Sequence, residues 1–361
     1  QENRDAIFEP RLYRLPEKAR HLDPALLNRL GLFGCTHDEL DRVLIPMVSS
    51  GKEPIGSMGD TARLAVFSDE YRPLSDFFFQ NFAQVTNPPL DYLRERMVTD
   101  LSTYLGRQPN IFSPKELIPP EPAFVLDSPI LTPEQMAYLI DSANSPESSV
   151  QLRSEVISCV FQASEGSVHL KKRLEELAER ALEAVSSGCR VLVLSDRMAT
   201  AENPPIPSLL ALRSVVNILD KWGRLLDASI VLDSGDIRST HQVACAISFG
   251  AAAVSPYLAF EIASSLQHRS LKKQGMEERR TNLKKSLEGG LLKIMSKVGI
   301  SVVRSYQTSK LFTPLGVGED IISSYFPGLS SPIGGISLEQ LGDRIIERAK
   351  AAGHLWPDEL P

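Results

Sequence analysis

From Glu155 onward the chain alternates short runs of β-branched and aliphatic residues with stretches of helical period, and this alternation constrains the fold more than any other feature. Val156 to Val160, Arg190 to Leu194, Ala228 to Leu232 and Ala252 to Val254 are too short for helices and read as strands. The unbroken apolar run Val191 to Leu194 fits a strand covered on both faces. Between the strands, His169 to Ser187 sets Leu170, Leu174, Leu177 and Leu182 on one helical face, and Gly188 stops it. Ile206 to Trp222 and Thr240 to Phe249 are the next helices. This order implies parallel strands joined by right-handed crossovers. A doubly wound sheet and a partial or complete β/α barrel both satisfy the pattern, and periodicity does not separate them.

The first part of the chain reads differently. Residues 1–28 are charged and punctuated by Pro10, Pro16 and Pro24, the composition of a connecting arm. Thr36-His37-Asp38-Glu39 has the form of a capping box, and Leu40, Val43, Leu44 and Met47 follow at helical spacing. Arg63 to Phe67 is a strand candidate. Pro73 to Gln84 reads as a helix whose Phe77, Phe78, Phe79 and Phe82 form an apolar face to be buried, and Leu90 to Leu105 as another, begun by Pro88-Pro89 and stopped at Gly106. Residues 29–106 are thus expected to be an α-rich N-terminal part. Pro109, Pro114, Pro119, Pro120 and Pro122 make 107–122 a connector without regular structure. Residues 123–330 are the β/α part, and 331–361 a C-terminal connector.

With 39 Lys and Arg against 45 Asp and Glu, the formal net charge of −6 argues against a nucleic-acid or anionic-membrane partner. The one basic run, Lys272 to Lys285, is interleaved with Glu277 and Glu278 and suits a solvated helix face. No apolar stretch reaches membrane-spanning length and no signal peptide is visible, so a cytoplasmic protein is expected. Gln1 in place of a methionine suits a cut or processed product, or an expression boundary. Cys35, Cys159, Cys189 and Cys245 stand singly without CxxC spacing, and the six histidines show no HxxxH or HxH pattern. Neither a metal site nor an iron–sulfur cluster is expected, and the thiols read as reduced and interior. Gly56-Ser57-Met58-Gly59, Gly316-Val317-Gly318 and Gly334-Gly335 lack both the Walker spacing and the dinucleotide fingerprint, so the chain is expected to hold no cofactor.

Candidate chemistry gathers at strand ends. Ser195, Asp196 and Arg197 follow one strand, Asp233, Ser234, Gly235 and Asp236 the next, and Ser255, Pro256 and Tyr257 the one after. Three successive strands thus bring Asp196, Arg197, Asp233, Ser234 and Ser255 to one rim, the place where α/β folds keep ligand groups. The same residue types also cap helices and pair with neighbouring charges. His241 with Asp233 or Asp236 is a weak base candidate for Ser234, because a histidine inside a helix more often packs than catalyses. No residue is assigned as catalytic.

The longest informative stretch is Gly51 to Tyr104. GKEPIGSMGD at 51–60, LAVFSD at 64–69, FAQVTNPPLD at 82–91 and LSTYLG at 101–106 are followed by LDSPIL at 126–131, VLVLSDR at 191–197, PIPSLLA at 205–211, the long block 233–261 and GLLKIMSKVGIS at 290–301. In order and spacing these resemble the central domain of glutamate synthase over most of the chain. The resemblance implies a barrel-like α/β fold related to the FMN-binding TIM barrel. It also implies a non-catalytic domain that scaffolds glutaminase and FMN domains and lines an ammonia passage with Ser57, Met58, Gly59, Thr86 and Asn87. By the same resemblance, FMN and an iron–sulfur cluster belong to an FMN domain outside this chain, toward which 331–361 leads. The whole enzyme would form glutamate from glutamine and 2-oxoglutarate with electrons from NADPH or ferredoxin. A homo-oligomer is compatible with this reading. Departures stand at Ser305-Tyr306-Gln307-Thr308 in place of SYRG, at Ser331-Pro332-Ile333 in place of SRI, and at Val215, Val216 and Asn217 in place of a histidine pair. They keep open a free-standing divergent paralogue that acts as a binding or regulatory scaffold in nitrogen metabolism. An independent β/α-barrel enzyme at the Asp196, Asp233 and Ser255 rim has the least support.

Overall fold

The computed structural model describes residues 24–55, 63–69, 71–82, 94–108, 123–145, 152–266 and 268–355. Eight short strands lie among them: β1 Phe78–Gln80, β2 Thr103–Leu105, β3 Phe124–Leu126, β4 Ser154–Ser158, β5 Val191–Ser195, β6 Ser229–Asp233, β7 Ala253–Ser255 and β8 Phe312–Pro314. β4, β5, β6 and β7 pair in parallel in that order, with Val193 in register between Val156 and Val231. Ile130 adds a single parallel bridge to Val254 beyond β7. Helices Val168–Ser186, Ser208–Lys221 and Thr240–Ser248 make the three crossovers. The alternation read from Glu155 onward is therefore present, each element within a few residues of its expected ends.

Side-chain alternation splits the sheet between two cores. Leu192, Leu194, Ile230, Leu232 and Val254 face the main core with the crossover helices, while Val191, Val193, Val231 and Ala253 face a smaller one. Helix Pro133–Asn144, begun by a capping box of Thr132 and Gln135, and the antiparallel ribbon β2–β3 close that second face through Met136, Leu139 and Leu105. Both faces are dry, which is why β5 carries no polar residue before Ser195. Among the described residues the sheet has four strands and stays open. The structure is mixed α/β with a parallel sheet.

The α-rich N-terminal reading needs correction at several points. Thr36 does open a helix, its Oγ1 accepting the Glu39 N–H at 3.2 Å, but Leu40–Leu44 widens into a π turn before Ile45–Ser50. Pro46 causes this, since it has no N–H for the Arg42 carbonyl and its ring crowds that oxygen. Ala65–Phe67 is a 3₁₀ turn, not a strand; no strand lies beside it among the described residues, and Val66 turns onto Gly316. Pro73 to Gln84 is not one helix but a 3₁₀ turn, Leu74–Phe77, followed by β1 against β8. Successive phenylalanines point about 100° apart on a helix but to opposite faces of a strand. Accordingly Phe78 is buried against Phe249 and Phe326, ring centroids 4.9 and 4.8 Å away, while Phe79 is 42% exposed; Phe82, two residues past the strand, is exposed to the same degree. Of Leu90 to Leu105, the described part holds one helical turn, Glu95–Val98, and then β2. The helix cannot continue because the Asp100 carboxylate takes the Ser102 N–H at 2.8 Å and its hydroxyl at 2.6 Å. Helix Pro24–Leu32 begins inside the stretch read as an arm and packs on helix Leu338–Leu355. Leu30, Leu44, Phe77 and Phe78 belong to the same core as the sheet.

Candidate functional site

The register Ser195–Asp233–Ser255 sets three strand ends side by side. Asp233 accepts the Ser195 hydroxyl at 2.9 Å and a two-pronged ion pair from Arg197, Nε at 2.6 Å and Nη2 at 2.9 Å. The same guanidinium lies 4.1 Å from the centre of the Tyr257 ring. Tyr257 donates its hydroxyl to Asp196 at 2.8 Å, and Asp196 also takes the Ser234 hydroxyl at 2.5 Å and the Gly235 N–H at 3.0 Å. Asp236 lies 2.8 Å from the Ser234 oxygen and accepts the Ser208 N–H and hydroxyl at 3.0 and 2.7 Å.

Asp196, Arg197, Asp233 and Ser234 are thus brought into one network. The fifth candidate is not. Ser255 reaches the rim by register, yet its buried hydroxyl has no hydrogen-bond partner. Arg197 pairs with a carboxylate, as its surroundings in the sequence suggested. Helix capping falls elsewhere: Asp236 caps helix Ser208–Lys221, and Ser239 with Gln242 caps Thr240–Ser248. Asp196, Asp233 and Ser234 spend their hydrogen bonds across the rim instead.

Proton counting bears on the charge of this cluster. Ser234 has one hydroxyl hydrogen but two carboxylate oxygens at 2.5 and 2.8 Å, so satisfying both contacts requires a proton on one carboxyl. Burial, and after it Asp236, pushes the Asp196 carboxyl up to about 8, although Ser234, Gly235 and Tyr257 donate to it and pull the other way. Burial and Asp196 together raise the Tyr257 phenol.

Over the network lies a second layer from the N-terminal residues. Arg238, fully buried, gives Nε and Nη2 to the Glu39 carboxylate at 2.8 and 3.1 Å and Nη1 to the Gly235 carbonyl at 2.8 Å. Burial by itself would lower the Arg238 pKa, but Glu39 outweighs it and the group is held charged. Phe33 packs so closely on Gly235 that a Cβ there would stand 2.7 Å from the ring, and it meets Tyr257 edge-on with centroids 6.4 Å apart. Arg348 stacks 3.4 Å above the Tyr71 ring.

Other candidate groups are placed outside this cluster. His241 Nε2 lies 2.9 Å from the Ser75 carbonyl, which requires a proton there, so Nδ1 accepts from the Gln80 amide at 3.2 Å. It fastens β1 to helix Thr240–Ser248 and is no base for Ser234. All four cysteines are free and buried, with thiol pKa values raised by that burial. A Cβ on Gly335 would stand 2.1 Å from the Gly316 carbonyl, so these glycines serve the close backbone pairing of Val317 with Ile336. Ser57, Met58, Gly59, Thr86 and Asn87 lie outside the described residues. Among the described residues no cluster of His, Cys, Asp and Glu could hold a metal, and no helix is long and apolar enough to cross a membrane.

Sequence reading missed Phe33, Glu39, Arg238 and Arg213. Arg213 sits inside the apolar run Leu209 to Val216, and that solitary charge was the available signal. Its guanidinium bonds the Tyr325 and Phe249 carbonyls at 3.0 and 3.1 Å and Asn217 Oδ1 at 2.5 Å, and burial brings its pKa down to about 10. Asn217, one of the departures noted above, therefore holds a buried arginine, while Val215 and Val216 fill the core.

The sequence family described as the glutamate synthase central domain matches residues 28–318. The chain belongs to that family. The central domain is 36% identical over 327 residues to the NADPH glutamate synthase large chain of Bacillus subtilis, covering 91% of this chain and 21% of that protein. It is 38% identical over 331 residues to the chloroplastic ferredoxin-dependent glutamate synthase of Spinacia oleracea, covering 88% and 20%. It thus spans about a fifth of the length of these relatives. Among solved structures, a flavocytochrome b2 double mutant with pyruvate bound aligns with TM-score 0.40 at 13% identity, over 73% of this chain and 84% of that one. A likeness that slight carries no argument about this domain.

Proposed function

We propose that this central domain is a non-catalytic scaffold in glutamate synthase, holding glutaminase and FMN domains in place and contributing one wall of the ammonia passage through Ser57, Met58, Gly59, Thr86 and Asn87. One observation carries the non-catalytic part: the carboxyl ends of the parallel strands, where α/β folds bind ligands, are filled by the chain's own Arg197, Arg238, Glu39 and Phe33. The residues there do not fit FMN. Asp233 and Asp236 would face its phosphate with like charge, and Gly235, whose backbone would have to approach it, is under Phe33. FMN and the iron–sulfur cluster are accordingly assigned to other domains of the enzyme, with NADPH or ferredoxin as electron source. Four consecutive parallel strands with crossover helices on one face amount to half of an eight-stranded β/α barrel, and this supports kinship with the FMN barrel. Four unpaired thiols suit a reducing compartment such as the cytoplasm. The relatives match through their central region, which favours this reading over a free-standing paralogue.

Thr86→Trp in a glutamate synthase polypeptide carrying this domain tests the passage. Glutamine-driven glutamate formation should fall far more than formation from added ammonia, and free ammonia should accumulate. Equal loss of both would mark Thr86 as a packing residue.

A further inference from the structure

We propose that Arg348, beneath the ring of Tyr71, binds the carboxylate of a small molecule, a role that does not depend on the scaffold reading above. Arg348 stands on helix Leu338–Leu355 and is only 7% exposed, yet its Nε and Nη1 are buried without a hydrogen-bond partner. Among the described residues no ion pair holds it. Its counterparts are occupied: Arg213 by two carbonyls and Asn217, Arg238 by Glu39 and the Gly235 carbonyl, Arg279 by the Gln274, Leu266 and Leu271 carbonyls at 3.1, 2.7 and 3.0 Å. Arg29 and Arg280 also have a bare Nε, but each is paired through another nitrogen, with Glu261 at 2.9 Å and with Glu134. An unpaired buried cation is among the most destabilising groups a fold can carry, and stacking on a ring offsets only part of that. Water would satisfy the N–H groups but not the charge, so the arrangement calls for a counter-ion that the described residues do not supply.

The surroundings set both the charge and the access. Burial lowers the Arg348 pKa, Tyr71 raises it, Arg238 lowers it and Asp236 raises it, so a phenol, a second cation and one carboxylate act on this guanidinium. Asp236 is committed to Ser208 and Ser234, and Glu39 to Arg238. One positive charge is left to be matched, which fits a carboxylate better than a dianionic phosphate. Helix Pro24–Leu32 ends beside it, but the Arg29, Gly31 and Leu30 carbonyls accept the N–H groups of Phe33, Gly34 and Cys35 at 3.0, 3.1 and 2.9 Å and are taken by the backbone. Gly34 turns the chain with a φ of 60°, and a Cβ on it would stand 2.9 Å from the Tyr71 ring and 3.2 Å from Arg348 Nη1. The missing methyl group lets the ring lie 3.4 Å above the guanidinium. Gly34 and Tyr71 are themselves half-buried, so the cover over Arg348 is one ring and one turn of backbone that meet solvent. Turning the ring aside bares the guanidinium, with the charge of Arg238 behind it.

The test follows melting of the chain at fixed pH in potassium acetate or potassium glutamate against potassium chloride of equal ionic strength. The midpoint should rise with either carboxylate along a one-site binding curve and stay unmoved by chloride, and potassium phosphate should need at least a tenfold higher concentration for the same rise. In Arg348→Met the rise should vanish, in Tyr71→Ala the half-saturating acetate concentration should fall at least threefold, and Lys221→Met, at an exposed position, should change neither. Should Arg348→Met not fold, the Nε–H resonance of Arg348 in the parent, assigned by its loss in Arg348→Lys, decides by moving saturably with acetate or failing to. A rise that does not follow a one-site curve is a general salt effect; that result, a rise kept in Arg348→Met, half-saturation unchanged in Tyr71→Ala, or an equal response to phosphate would overturn the proposal. Acetate should also slow hydrogen exchange across 345–352 at least threefold, both in the chain itself and in a glutamate synthase polypeptide carrying it. Slowing confined to the isolated chain would mean that a carboxylate of another domain holds Arg348, and the small-molecule assignment would be wrong.

Discussion

The two ends of the parallel sheet use the same ions in opposite ways. At the carboxyl end Arg238 is fully buried against Glu39, and Asp233 is buried under Arg197. At the amino end Asp227 meets Arg107 at 3.2 Å and Arg224 at 2.9 Å, but both arginines reach water and Trp222 and Leu226 stand exposed beside them. An exposed pair gains little over its hydrated partners, whereas a buried pair is worth little as a whole and much when halved. Arg238 therefore does not tolerate the loss of Glu39, whereas Arg197, 39% exposed, keeps contact with water as the amino-end arginines do.

The difference should be widest for Glu39→Ala, which leaves Arg238 buried without a counter-charge and should cost about 3–5 kcal/mol in chemical denaturation. A loss below about 1 kcal/mol would mean that water reaches the rim and that the two ends are alike. Next in size is the pH response. Asp196 titrates near 8 in the folded chain, above its unfolded value, so its protonated form favours folding. That stability is whole below about pH 4 and drains away as pH rises to about 8. Melting between pH 5 and 8 should show a loss on the order of 3 kcal/mol that Asp196→Asn removes. A slope identical in parent and Asp196→Asn would place the proton elsewhere. Gly235→Ala should cost about 1–3 kcal/mol by pushing Phe33 off the rim, and Phe33→Leu in the same chain should recover part of it. If Gly235→Ala melts with the parent, Phe33 is not pressed against the strand end. The smallest effect is expected for Asp227→Asn, under about 1 kcal/mol and smaller still in high salt.

What could be read ahead of the structure was whatever leaves a local trace. β4 to β7 and their crossover helices did so, because a strand covered on both faces is apolar throughout and an outer helix is striped. Arg197 and Asp233 reached the rim because a residue after a strand of known direction has a known place. β1 and β2 left no such trace: the partner of Phe78 is Pro314, and a three-residue strand is indistinguishable from a turn of helix until its partner is known. Glu39 and Arg238 lie 199 residues apart, and nothing in either neighbourhood names the other. The departures from the family also change meaning in three dimensions. Gln307 bonds the Gly250 carbonyl at 2.8 Å, and Thr308 adopts a φ of 63°, which a glycine would hold without strain.

A sheet that does not close on itself has edges, and an edge strand with unpaired amides invites a foreign strand to join it. Among the described residues β4 is such an edge, with Val156 half exposed along it. Asn144 blocks one end by taking the Ser154 N–H at 3.0 Å on its Oδ1 while its Nδ2 bonds the Ser154 hydroxyl at 2.8 Å. Glu155, held by Arg180 at 2.6 Å, sets a charge next to it. An incoming strand would have to displace an amide and strip water from an ion pair, so the flank of the sheet is guarded against self-association by three side chains.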